Sequence, residues 1–132
     1  MTPRGIRNCN PGNIRTTKDK WQGLRPDQND PEFFQFVSTE YGYRALIRTL
    51  QNYHRRHGCR SIAEYINRWA PNCENNTTAY IKSVCYKLDV PTSFVPDIND
   101  MDTMCAFAAA ISEHENGVKA DINVIRIAWG LL

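Results

Sequence analysis

From Ser38 onward the hydrophobic positions fall at helical spacing. Ala45, Leu46, Leu50 and Tyr53 mark one face of a helix, and Gly58 is placed to stop it. Ser61 and Glu64 form an S-x-x-E capping box. Ile62, Ile66 and Trp69 are the apolar stripe that follows, and Pro71 ends it. Tyr80, Ile81, Val84, Cys85 and Leu88 line a third helix that starts near Asn76 or Thr77 and cannot pass Pro91. A fourth runs from about Asp100 to Asn116 with Met104, Ala108 and Ile111 inward and Gly117 as a left-handed cap. Asp121 caps a last short helix through Ile122, Ile125 and Trp129. Residues 1–37 carry no sustained period. Asn10-Pro11-Gly12-Asn13 is a turn signal, and Phe33, Phe34 and Phe36 predict a brief strand or a hook into the core. The expected fold class is mainly α, in a single domain. Its irregular N-terminal segment is expected to hold loops and one or two short strands.

A chain of 132 residues suits one domain. At that size folding removes roughly two-thirds of the unfolded chain's surface from water. A hydrophobic fraction of 42% and a charged fraction of 23% argue against wholesale disorder. The net charge of only +2 argues against nucleic acid as a partner. Arg4, Arg7, Arg15, Lys18 and Lys20 nevertheless crowd the first twenty residues against the single acid Asp19. That segment is either a solvated loop or a surface facing an anionic polymer.

Cys9, Cys59, Cys73, Cys85 and Cys105 are odd in number and include no C-x-x-C pair. A closed disulfide framework and a zinc knuckle are therefore not expected. Cys85 and Cys105 lie on apolar stripes and read as small core hydrophobes. Synthesis in a reducing cytoplasm is expected, with no secretory signal after Met1. No run approaches the roughly 20 apolar residues that span a bilayer. His54, His57 and His114 lack ligand spacing, so neither metal nor cofactor is expected.

Glu113 and Glu115 stand two residues apart and so on different faces of the fourth helix. Glu113 is expected to face water. Glu115 continues the inward series Met104, Ala108, Ile111, where a carboxylate is costly unless it is paired, bonded or protonated. Apolar neighbours and the helix C-terminus both favour the protonated form, which a general acid needs near neutral pH. A last-turn residue turned out into solvent is the plain alternative.

The segment Ala109-Ala110-Ile111-Ser112-Glu113-His114-Glu115-Asn116-Gly117 resembles the catalytic helix end of lysozyme-like muramidases and lytic transglycosylases. Further blocks are Arg4-Gly5-Ile6-Arg7-Asn8-Cys9-Asn10-Pro11-Gly12-Asn13-Ile14-Arg15, Trp21-Gln22-Gly23 and Gly42-Tyr43-Arg44-Ala45-Leu46. With Ile66-Asn67-Arg68-Trp69-Ala70-Pro71, Glu74-Asn75-Asn76-Thr77 and Tyr80-Ile81 they resemble a group of bacteriophage virion proteins and related bacterial proteins. Members of that group are labelled structural proteins or peptidoglycan-degrading enzymes. The resemblance implies one lysozyme-like domain over 1–132, with a loop-rich cleft segment at 1–37 and a helical body at 38–132. Because the glutamate comes near the end of the chain, it implies a circular permutation in which the Asn-Pro-Gly-Asn segment takes the place of what ordinarily follows the acid.

The implied activity is cleavage of peptidoglycan glycan strands by Glu115 as general acid and base, in a muramidase or lytic transglycosylase. Glu40 is the candidate second carboxylate, or a first-turn acid favoured by the helix dipole. Asn10, Asn13 and Arg15 are candidates for binding N-acetyl or carboxylate groups, although Asn10 and Asn13 also suit the turn itself. Trp21, Tyr43 and Tyr80 are candidates for sugar stacking, as against core. Glu74 is either a substrate contact or an anchor for its loop. The expected partners are glycan strands, with virion or secretion-apparatus proteins as carriers to the wall. A non-catalytic virion or wall-binding protein is the alternative from another class. A Cys–His amidase, for example Cys59 or Cys9 with His114, is more distant.

Overall fold

A computed structural model describes residues 1–72 and 76–132. Among them the chain forms six helices and no strand: α1 (Arg4–Arg7), α2 (Thr39–His57), α3 (Ile62–Trp69), α4 (Thr77–Leu88), α5 (Met101–Asn116) and α6 (Ile122–Gly130). The mainly α class follows directly, and the local signals explain the boundaries. Ser38 Oγ accepts the Tyr41 N–H at the start of α2, and Gly58 closes that helix at φ 68°. The Ser61–Glu64 box forms at α3 with both of its bonds. Asn76, Asp100 and Asp121 each accept a first-turn N–H of α4, α5 and α6. Gly117 ends α5 at φ 69°.

α5 is the hub. It packs along α4 and α6 and touches α2 and α1. Met104, Cys105, Phe107, Ala108, Ala110, Ile111 and Ser112 are all buried, so the helix is enclosed on more than the one stripe expected. Small residues such as Ala108 and Ala110 let neighbours close on it without voids. Glu113 departs from expectation for the same reason. It is half-buried, and it accepts the Ala120 N–H at 3.0 Å where the chain turns toward α6. Cys85 and Cys105 are buried in the main core, as their stripe positions predict.

The N-terminal segment holds the short α1, and in place of the expected strands only two isolated antiparallel bridges, Arg15 with Phe33 and Leu24 with Phe36. Polar side chains take the backbone bonds that a ladder would otherwise make. Asn10 Nδ2 donates to the Ile14 and Phe34 carbonyls, and Gln28 Oε1 accepts the Gln35 N–H. Asp30 accepts from Arg4 Nη2 at 2.5 Å, from Arg4 Nε at 2.7 Å and from Asn8 Nδ2 at 2.9 Å. Phe34 and Phe36 join Ala45 of α2 in a second small core, flanked by Cys9, Trp21 and Tyr41. Gly42 makes this docking close. A Cβ there would lie 1.9 Å from the Cys9 carbonyl oxygen.

Candidate functional site

The Asn10–Asn13 turn is brought against the end of α5. Asn13 adopts the left-handed conformation at φ 50°, which asparagine tolerates better than most residues. Its Nδ2 donates to Glu115 Oε1 at 2.9 Å. Asn116 Nδ2, one residue on, donates to the Pro11 carbonyl at 2.9 Å and to the Ser112 carbonyl at 3.0 Å. Gly5 of α1 lies beneath both asparagines. A Cβ on it would be 2.4 Å from Asn116 Oδ1 and 2.9 Å from Asn13 Oδ1.

The second oxygen of Glu115 is held from α4, where Tyr80 Oη donates to Oε2 at 2.8 Å. Tyr80 is 1% exposed. Burial pushes its phenol far above the ordinary range, Glu115's negative charge adds to the effect, and the Trp69 indole opposes it. The hydroxyl therefore remains a proton donor to the carboxylate. The exposed His114 ring stacks on Tyr80 with centroids 3.9 Å apart. Partial loss of solvent around His114 lowers its pKa, with Glu115 opposing and Lys87 adding to the effect.

Glu115 is half-buried and opens onto a groove of about 390 Å³. Gly12, Asn13, Ile14 and Arg15 form one side, and Thr49 and Tyr53 of α2 with Trp69 and Ala70 form the other. Glu115 is the one carboxylate in this compartment's wall among the described residues. A second compartment of about 440 Å³ shares Ile14, Thr49 and Tyr53 with the first and continues past them to Asp19, Lys20, Trp21, Asn52, Arg56 and His57. Each volume lies within the range of about 300–1,000 Å³ common for ligand sites.

The residues singled out from sequence separate into those on the groove and those behind it. Asn13 and Arg15 line the first compartment and Trp21 the second. Arg15 also lies over the Phe33 ring and 3.7 Å from Glu32. Asn10 has no exposed surface, and its amide is spent on backbone bonds, so its place is in the turn and not against a ligand. Tyr43 is likewise enclosed, with its hydroxyl donating to Ser112 Oγ at 2.9 Å, and offers no ring face to a sugar. Tyr80 reaches the site by its hydroxyl and not by a stacking face. Glu40 stands on the first turn of α2 and is in the wall of neither compartment. Glu74 lies outside the described residues.

Thr49 and Tyr53 were not foreseen as wall residues. Their spacing of four on α2 puts them on one face, but Tyr53 also fits the apolar stripe, and the sequence does not distinguish core from cleft there. Trp69 serves both purposes. It is half-buried, packs edge-on to Tyr53 and covers Gly12, and it still forms part of the wall.

No family model matches the chain. Over 117 residues, 86% of its length, the chain is 38% identical to Protein P5 of Pseudoalteromonas phage PM2, and the match covers 71% of that protein.

Proposed function

The chain belongs to the family of Protein P5 of Pseudoalteromonas phage PM2, and on that premise we propose that it is a lysozyme-like enzyme cutting the glycan strands of peptidoglycan, with Glu115 as general acid and base. One observation carries this reading. A half-buried glutamate, held at both oxygens by neutral donors, opens onto a groove large enough for sugar rings.

In the proposed reaction Glu115 protonates the oxygen that links N-acetylmuramic acid to N-acetylglucosamine, and that bond breaks with oxocarbenium character at the muramic carbon. The same carboxylate, now ionised, takes the proton of the muramic 6-hydroxyl as that oxygen closes on the carbon, leaving a 1,6-anhydro end. Asn13 and Tyr80 each hold one oxygen and so fix the orientation of the carboxylate at the groove wall. Glu115 serving first as acid and then as base suits this course, whereas hydrolysis ordinarily uses a pair of carboxylates. Action at the bacterial wall is part of the same proposal; the phage member of the family supports only a place in a virion.

Zymography on purified peptidoglycan, with wild type and Glu115→Gln, tests it. Clearing by wild type alone is the expected result, with anhydro ends in the soluble products by mass spectrometry. Clearing that survives Glu115→Gln removes Glu115 from the chemistry. Wall binding without clearing by wild type would leave a non-catalytic wall-binding protein.

A further inference from the structure

The second compartment differs in chemistry from the first. Its wall carries Lys20 and Arg56, and neither is paired with an acid among the described residues. The acid beside them, Asp19, already accepts the Thr17 hydroxyl at 2.9 Å. His57 Nε2 lies 3.1 Å from Arg68 Nη2, and since arginine only donates, His57 accepts there and keeps its proton on Nδ1. Trp21 and Tyr53 add aromatic surface, and Tyr53 is common to both compartments. A polymer laid along the first compartment therefore continues past Tyr53 into a largely polar pocket with some aromatic surface and unspent positive charge.

We infer that this second compartment is a carboxylate-accepting subsite, which holds an acidic group hanging from the glycan chain by charge-assisted bonds from Lys20 and Arg56. The inference rests on the glycan-cleavage reading and specifies the substrate further. Uncharged sugar rings would leave both cations without partners, whereas a strand bearing carboxylates supplies them. Two sources have that chemistry: the carboxylates of peptides attached to muramic acid, and the lactyl carboxylate of muramic acid itself once the peptide is gone.

The test is equilibrium binding with Glu115→Gln, which keeps the groove and does not consume the ligand. Three probes are used: glycan strands with peptides, strands stripped of peptides by an amidase, and an uncharged N-acetylglucosamine oligosaccharide. The expected result is about tenfold tighter binding of an acid-bearing strand than of the uncharged one, the gain that two partly exposed ion pairs together can give. That preference should shrink in high salt. Adding Lys20→Glu and Arg56→Glu should abolish it, so that acid-bearing and uncharged probes bind alike. If the peptide-bearing strand binds better than the stripped one, the peptide is the source; the reverse order assigns the lactyl group.

A preference that persists in the charge-reversed variant, or equal binding of charged and uncharged probes, overturns the inference while leaving glycan cleavage intact. Failure to bind any probe, together with failure of wild type to clear peptidoglycan, overturns both. Lys20→Gln with Arg56→Gln provides a milder pair if charge reversal perturbs folding, and it should lose most of the preference.

Discussion

Asn13 donates its side-chain N–H to Glu115 Oε1 at 2.9 Å, joining residues 102 positions apart in sequence. The neighbouring bond from Asn116 to the Pro11 carbonyl spans 105 positions and ties the same turn to the same helix end. The two polar blocks near the ends of the chain thus form one structural unit. Neither could hold a carboxylate at the groove alone. The turn has no acid, and the end of α5 has no donor for Oε1 without the turn.

Asn13→Gly isolates this bond. Glycine accepts the left-handed backbone at position 13 without strain, so the turn should persist while the donor is lost. A hydrogen bond to a charged group contributes about 1.5–3 kcal/mol. Because negative charge develops on Glu115 as it gives up its proton, the bond is stronger in the transition state than at rest, and turnover of peptidoglycan should fall by about 10- to 100-fold without it. The melting temperature should fall by no more than several degrees, the size of the lost bond. Wild-type turnover in Asn13→Gly would mean that Glu115 does not need this partner.

How far the site was legible depends on what each residue answers to. Helix starts and stops answer to neighbours within a turn, and Ser38, Ser61, Asp100 and Gly117 announced them correctly. Glu115 was legible because a carboxylate on an inward series is a conflict that sequence alone exposes. Asn10 and Asn13 were not separable, since both suit the same turn. Only the three-dimensional path shows that one amide is used up by backbone groups and the other reaches the acid. The α2 wall was hidden because periodicity gives the direction of Tyr53, not whether protein or open space lies there. The expected strands failed because Asn10, Gln28 and Asp30 satisfy the backbone locally, a pattern that hydrophobic alternation does not register.

Gly42→Ala should be far more damaging than Gly58→Ala. At Gly42 the new methyl would meet the Cys9 carbonyl at 1.9 Å, and backbone must move. Overpacking costs about 1–3 kcal/mol, and a clash with backbone belongs at the top of that range. The displaced strip is the one that carries the Asn10–Asn13 turn, so activity should fall along with stability. Gly58 has open space around its Cβ position, and only its φ of 68° opposes alanine, at about 1–2 kcal/mol. Denaturant midpoints of the two variants measure the difference; equal losses would refute the tight approach of α2 to the turn.

Acid should act on the N-terminal segment through Asp30. Arg4 beside it, with Asn8 and the N–H groups of Glu32 and Phe33, holds its carboxyl well below the usual carboxylate range, against the opposing effect of burial. A carboxyl depressed in the fold stabilises it in full above the unfolded value near about pH 4 and ceases to do so as pH falls through the folded value. Asp30→Asn should therefore be less stable than wild type at neutral pH, with the gap closing as the solution is acidified below about pH 4. Melting temperatures of both proteins across that range decide it. A gap independent of pH would show that the ionised carboxylate contributes nothing beyond its shape.

Alkali should destabilise the protein by the opposite sign. Burial raises the phenols of Tyr43, Tyr53 and Tyr65, that of Tyr65 to about 12, and with Glu115's charge it raises Tyr80 as well. The fold keeps these protons while the unfolded chain releases them above about pH 10, so stability is complete below that value and falls as pH climbs through the folded ones. In a spectroscopic titration the native protein should show fewer than its six tyrosines ionising near the ordinary value, with the rest appearing only as helix is lost. Tyr80→Phe removes one of the retained protons and should weaken the dependence of stability on pH above about 10. It also leaves Glu115 Oε2 without its donor, so it should lower glycan turnover at neutral pH. Normal turnover in Tyr80→Phe together with a full alkaline loss of stability would show that Tyr80 neither positions the acid nor holds its proton against the solvent.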